Sequence, residues 1–109
     1  MLVLFDNGTP RTLARDLIDR HAVTEARARG WEKLDNGELL AQAEAAGFQV
    51  LVTTDKNLRY QQNLADRKIA IVVLGNGRWI LVKPHVAKVV AAINAATPGS
   101  YTEIDIPFS

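Results

Sequence analysis

The chain of 109 residues contains no cysteine. Disulfides and thiolate metal sites are therefore excluded, and a reducing cytoplasm is the expected setting. Long apolar runs are also missing. Nothing approaches the roughly 20 residues needed to cross a bilayer, so no membrane association is expected. The opening stretch Met1-Leu2-Val3-Leu4-Phe5 is apolar, but it stops at Asp6. It has no basic n-region and is too short for a signal peptide. Net charge is small, with 13 Lys and Arg against 12 Asp and Glu. Binding to nucleic acid by net charge alone is thus excluded, and any such contact needs a local basic patch. No repeat, low-complexity tract or linker divides the sequence, so one domain over 1–109 is expected. What is abundant is apolar residues, 48% of the chain, enough for a proper core.

The apolar residues fall into a recognisable order. Leu2 to Phe5 reads as a buried strand ending at Asp6. Asn7-Gly8 is a turn, and Thr9-Pro10 reads as N-cap and first residue of a helix with Leu13, Ala14, Leu17 and Ile18 inward. Ala22 to Thr24 is a weak strand, and Glu25 to Arg29 one helical turn stopped by Gly30. Asp35-Asn36 caps a helix over 37–46, whose face is Leu39, Leu40, Ala43 and Ala46 and whose end is Gly47. Phe48 to Thr53 is a strand running into Asp55, and a short polar helix is expected around Tyr60 to Ala65. Ile69 to Leu74 reads as a central strand and Gly75-Asn76-Gly77 as a turn. Trp79 to Val82 suits either a strand or the approach to a helix. Pro84 opens the last helix, with Val86, Val89, Val90 and Ile93 inward. Tyr101 to Ile106 alternates as an edge strand does, with Thr102, Ile104 and Ile106 on one face.

Strands alternating with helices imply a three-layer α/β/α sandwich around a mainly parallel sheet. Right-handed crossovers would bring every strand-to-helix loop to one edge, where ligands of such sheets bind. Asp6, Glu38 and Asp55 are then expected at that edge. Clustered carboxylates repel one another unless a cation or protons share the site. Hard oxygen ligands without cysteine favour Mg²⁺ or Mn²⁺, and such an ion meeting a phosphate makes phosphodiester hydrolysis the natural reaction. Each acid also has a plainer role: a turn for Asp6, a helix-dipole partner for Glu38, an Asx-turn for Asp55. Thr53 and Asn57 are candidates to support Asp55, and Arg59 to hold a phosphate. Asp35 is an alternative third acid with a competing role as helix cap. His21 and His85 read as surface residues, and Trp31 and Trp79 as packing.

Three stretches, in order, resemble the small PIN-like domains related to VapC-type toxin ribonucleases. They are Leu4-Phe5-Asp6-Asn7-Gly8-Thr9-Pro10, Asn36-Gly37-Glu38-Leu39-Leu40 and Val52-Thr53-Thr54-Asp55-Lys56-Asn57. The resemblance spans about residues 2–74 and leaves the segment from Trp79 onward without a family reading. It implies the same sandwich, Mg²⁺ or Mn²⁺, single-stranded RNA as substrate, and a small antitoxin protein as partner. Asp6, Glu38 and Asp55 would be the catalytic and metal-binding acids, with Thr53 in support. Asn7 and Asn57 stand where that pattern often carries acids, and a site with fewer charges binds metal less tightly.

Two other classes of function fit the same residues. A phospho-receiver module would use Asp6, Asp55 and the Lys83-Pro84 pair, but would leave Glu38 without a role. A protein-binding domain, including one that pairs with a second copy of itself, would use the helix at Tyr60-Gln61-Gln62-Asn63 or the alternating tail.

Overall fold

The computed structural model describes residues 1–61, 64 and 66–107. Five strands are found among them: β1 (Leu2–Phe5), β2 (Ala22–Glu25), β3 (Val50–Thr53), β4 (Ala70–Leu74) and β5 (Tyr101–Ile104). They form one all-parallel sheet in the order β2-β1-β3-β4-β5. Every residue of β3 and β4 is buried, which is why these strands read as unbroken apolar runs rather than alternations.

Side-chain alternation sends the strands into two cores. Val3, Phe5, Val50, Val52, Ala70, Val72, Leu74, Ile104 and Ile106 share one core with Leu13, Leu17, Val82, Val89 and Ile93. Leu4, Leu51, Ile71 and Val73 share the other with Ala26, Leu39, Leu40, Ala43 and Leu58. Helical segments thus cover both faces, and the architecture is the expected three-layer α/β/α sandwich. Among the described residues no helix is long and apolar enough to cross a membrane.

The helices follow local chemistry, with corrections. Helix α1 (Asn36–Ala45) starts at Asp35, whose side chain accepts from the Glu38 amide at 2.8 Å. It ends ahead of Gly47, which turns the chain at φ +87°, a conformation glycine adopts without a Cβ penalty. Helix α2 is one turn (Leu58–Gln61); the rest of the expected Tyr60–Ala65 helix lies largely outside the described residues. Trp79 to Val82 is a helix, α3, not a strand. Its Leu81 and Val82 amides both bond to the Arg78 carbonyl. Pro84 sits in a 3₁₀ turn (Lys83–His85) that leads into α4 (Val86–Asn94), where Val89 and Ile93 are buried.

The first expected α-helix is a 3₁₀ segment, Arg11–Asp16, and Thr9 is not its cap. Pro10 precedes it in an extended conformation, and the Thr9 hydroxyl is used elsewhere. Three residues per turn cannot hold a stripe drawn at 3.6. Leu13 and Leu17 stay inside, while Ile18 is turned out to 74% exposure. His21 is not a free surface residue either. Its ring bonds to Asn94 Oδ1 at 2.6 Å and to the Met1 amine at 3.3 Å.

One connection breaks the handedness rule. The chain moves from β1 outward to β2 beneath the Arg11–Asp16 segment, on the first core's face. It moves from β4 outward to β5 in the opposite direction beneath α3 and α4, on that same face. Opposite travel over one face means opposite hands. The β2-to-β3 and β3-to-β4 connections cross the other face and share the hand of β1-to-β2. Parallel crossovers are right-handed in about 98% of cases, so β4-to-β5 is the exception. Parallel strands still place all their carboxyl ends at one edge.

Candidate functional site

The order β2-β1-β3-β4-β5 is one of the two common doubly wound orders, and its crevice lies between the carboxyl ends of β1 and β3. There the connection from β1 leaves toward one face and that from β3 toward the other. Asp6 follows the end of β1 directly, and Asp55 lies two residues beyond the end of β3.

A hydrogen-bonded network ties the two acids together. Asp6 Oδ1 accepts from the Gly8 amide at 3.1 Å, and the Thr9 hydroxyl lies 3.0 Å from it. That hydroxyl, with one proton, is shared with the Val52 carbonyl at 2.8 Å. Asp6 Oδ2 accepts from the Thr53 hydroxyl. The Thr53 oxygen in turn accepts from the Asp55 amide at 3.1 Å. Asp55 Oδ1 accepts from the Asn57 amide at 2.9 Å, and Oδ2 from the Asn36 side-chain amide at 2.6 Å. Among the described residues Thr9 and Thr53 are the buried polar ones, so the Asp6 carboxylate is held from below by hydroxyls that cannot swing into solvent.

Glycines let the loops close over this network. A Cβ on Gly8 would run into Thr54 Oγ1, and a Cβ on Gly77 into the Gly8 carbonyl oxygen. Gly77 is therefore more than part of a turn, because it lets the loop after β4 rest on the loop after β1. The Asn7 side chain donates to the Glu32 carbonyl at 2.8 Å and ties the β1 loop toward the start of α1.

Glu38 stands apart. The Asn36–Asp55 bond puts the start of α1, and so Glu38, at the same carboxyl edge. Yet Glu38 is exposed and faces its own helix cap. The Asp35 carboxyl is held below its ordinary value, first by the Glu38 amide and then by a hydrogen bond with the Glu38 side chain. An acid three residues after an Asp cap has local partners ready, as in a capping box. Among the described residues, no group of three or more His, Asp or Glu side chains is placed to hold one metal ion. The hydrogen-bonded network takes in Asp6 and Asp55, while Glu38, at the same edge, bonds to Asp35.

The ion pairs among the described residues lie away from that pair. Glu25, Asp16, Glu44 and Glu103 each have an arginine as ion-pair partner. Asp6 and Asp55 have none among the described residues. Their partners are hydroxyls and amides, which orient a carboxylate without cancelling its charge.

The supporting residues divide. Thr53 bridges the two acids. Asn57 contributes its backbone amide, with its side chain in solvent. Arg59 is engaged away from the acids: its guanidinium bonds to Tyr60 Oη at 2.7 Å and lies 3.7 Å from Glu103. Lys83, needed by a receiver-type site, follows a helix and not a strand. Sequence reasoning missed Thr9 and Asn36 as members of the site because each has a common local role, as a cap or a turn residue, that accounts for it fully.

Compared with family models, with curated proteins and with solved structures, the chain finds no match.

Proposed function

We propose that this domain is a metal-dependent ribonuclease that hydrolyses single-stranded RNA, with Mg²⁺ or Mn²⁺ held by Asp6 and Asp55. The observation that carries this reading is the pair of acids at the β1/β3 crevice, linked through Thr53, whose hydroxyl donates to the Asp6 carboxylate and accepts from the Asp55 backbone amide, with no ion-pair partner for either among the described residues. Carboxylates in that relation call for a positive charge from outside. The donor set fits a hard ion. It offers oxygen without sulfur or imidazole, and Mg²⁺ is commonly held by one or two carboxylates with waters and substrate phosphates completing its shell. When bound, such an ion would polarise a phosphoryl oxygen and lower the pKa of a water.

The chain's own groups do the positioning. Thr53 and Thr9 fix the rotation of Asp6, and Asn36 and the Asn57 amide fix that of Asp55. RNA as the phosphodiester is supported by the three stretches similar to PIN-like domains. That similarity also supports a small antitoxin protein as partner. Glu38 is retained as a third acid at the same edge, and Glu38→Gln tests it: unchanged cleavage would reduce it to a helix-cap residue.

The central test is a melting curve with and without Mn²⁺, paired with an RNA cleavage assay. An ion that binds only the folded site adds RT ln(1 + [L]/Kd), about 1.4 kcal/mol at ten times Kd. Absence of any metal-dependent shift at millimolar Mn²⁺, in wild type and in Asn57→Asp alike, would end the metal-site reading.

The strand order favours one alternative enough to test it, because receiver modules share it. Acetyl phosphate with Mg²⁺ is expected to leave the mass of the protein unchanged. A phosphoryl adduct lost in Asp55→Asn would favour the receiver.

A further inference from the structure

Beside the acid pair lies a second surface. The β4-to-β5 connection leaves toward the first core's face, so the carboxyl ends of β4 and β5 stay uncovered on the α2 side. A groove of about 280 Å³ opens there, lined by Lys56, Val73, Gly75, Glu103, Ile104 and Asp105. Next to it one guanidinium contacts two tyrosine rings. The Arg59 guanidinium lies over the Tyr60 ring, 4.8 Å from its centroid, and over the Tyr101 ring at 5.6 Å. Glu103 neutralises it at 3.7 Å and also bonds to Tyr101 Oη at 3.3 Å. The outermost layer, Tyr60, is 73% exposed.

A large ring held by a guanidinium and left open to water is what a base-stacking platform requires. Arg59 helps to orient the ring, and most of its surface faces water, where a base can stack. Arg59 is ion-paired with Glu103, so the platform attracts a base by stacking more than a phosphate by charge. Lys56, one residue after Asp55, is the cation nearest in sequence to the acids and lines the groove, as does Glu103, which pairs with Arg59.

We propose that Tyr60, backed by Arg59 and Tyr101, stacks an unpaired nucleobase of a single-stranded RNA whose backbone runs past Lys56 to Asp6 and Asp55. This rests on the ribonuclease reading, but its test does not need catalysis. The readout is fluorescence anisotropy of a labelled, unstructured 12-nucleotide RNA in EDTA, where cleavage cannot occur. Tyr60→Ala is expected to weaken binding about tenfold, within the usual range for removing one stacking ring. Tyr60→Phe, which keeps the ring, should stay within about threefold of wild type. The same strand as a duplex, or with abasic positions, should bind more weakly than the intact single strand.

Tyr60 is exposed, so the alanine variant should melt within a degree or two of wild type, and a larger shift would be caught in the same melting assay. If it is, Tyr60→Leu, apolar but without a π-face, replaces it as the non-stacking variant. Equal binding by wild type and the non-stacking variant, or equal binding of abasic RNA, would overturn the platform even if cleavage is observed. Loss of self-association in Tyr60→Ala with RNA binding unchanged would assign the surface to a second copy of the chain instead. Base-dependent binding without metal-dependent cleavage would uphold the platform and remove the nuclease reading.

Discussion

The two edges of the sheet each hold half-buried acids, and Glu44 at one and the Asp6–Asp55 pair at the other are held in opposite ways. At the amino edge, where α1 ends and β4 begins, Glu44 meets Arg67 at 2.6 Å and the Lys68 amide at 3.0 Å. Burial pushes the Glu44 carboxyl up, but the Lys68 amide and Arg67 outweigh it and hold the group below its ordinary value. At the carboxyl edge, Asp6 and Asp55 are fixed just as firmly but by neutral donors. One edge has cancelled its charge and is complete. At the other, the Asp6 and Asp55 carboxylates keep their charge, because their partners are hydroxyls and amides.

Breaking the carboxyl edge should give the largest effect. Asp55→Asn keeps the shape and removes one charge. It is expected to lower RNA cleavage by at least about 100-fold and to abolish the Mn²⁺-dependent rise in melting temperature, with the metal-free protein as stable or more so. Glu44→Gln, at the other edge, should leave both readouts in place. Equal losses in the two variants would remove the distinction between the edges.

Gly77→Ala acts on the loops that close over the acids. Its Cβ meets the backbone oxygen of Gly8, which has no rotamer to change. Destabilisation of about 2 kcal/mol is expected, or roughly 8–16 °C in melting temperature for a domain of this size. A drop of less than 2 °C would mean that these loops do not rest on one another in solution.

Thr53→Val sharpens the role of the bridge. It is nearly isosteric, but it leaves the Asp55 amide without its acceptor and Asp6 Oδ2 without its donor. A loss of about 1–2 kcal/mol is expected by denaturant unfolding, together with weaker Mn²⁺ binding. Thr53→Ser should restore most of both. If serine performs no better than valine, the hydroxyl is not what organises the pair.

The smallest effect belongs to Glu44 and to acid. Its folded-state pKa lies below the ordinary 4.5. Its contribution to stability is therefore complete above about pH 4.5 and is lost as pH falls through the lower, folded-state value. Glu44→Gln should flatten that part of the stability-versus-pH curve, by about 1 kcal/mol or less given the partial exposure of the pair. An acid limb equally steep in the variant would assign it to other carboxylates.

Much of the fold was legible because local physics decides it. Leu2–Phe5 and Ala70–Leu74 are short unbroken apolar runs that alternate with helical patterns, and they form strands of the sheet. Asp35 and Gly47 bracket α1 because each satisfies or turns the backbone at its own end. Gly30 stops the Ala26–Arg29 turn in the same way, at φ +74°. Where two local solutions were close in energy, tertiary packing chose. Trp79–Val82 is helical because its amides bond to Arg78 and Val82 fills the first core, and Ile18 faces water because the segment before it winds at three residues per turn.

By itself, then, the sequence determined that a parallel α/β sandwich would form and that Asp6 and Asp55 would follow strand ends. Those facts depend on periodicity and on residues adjacent in the chain. Only the tertiary structure decided the strand order, the opposite hand of the last crossover and the groove it uncovers. Only it brought Thr53 between the acids and Asn36 onto Asp55, and left Glu38 with its own cap. Contacts between residues 19 or 47 positions apart leave no trace in local pattern. They exist because the sheet buries its strands in one register, and that register is fixed by the whole core.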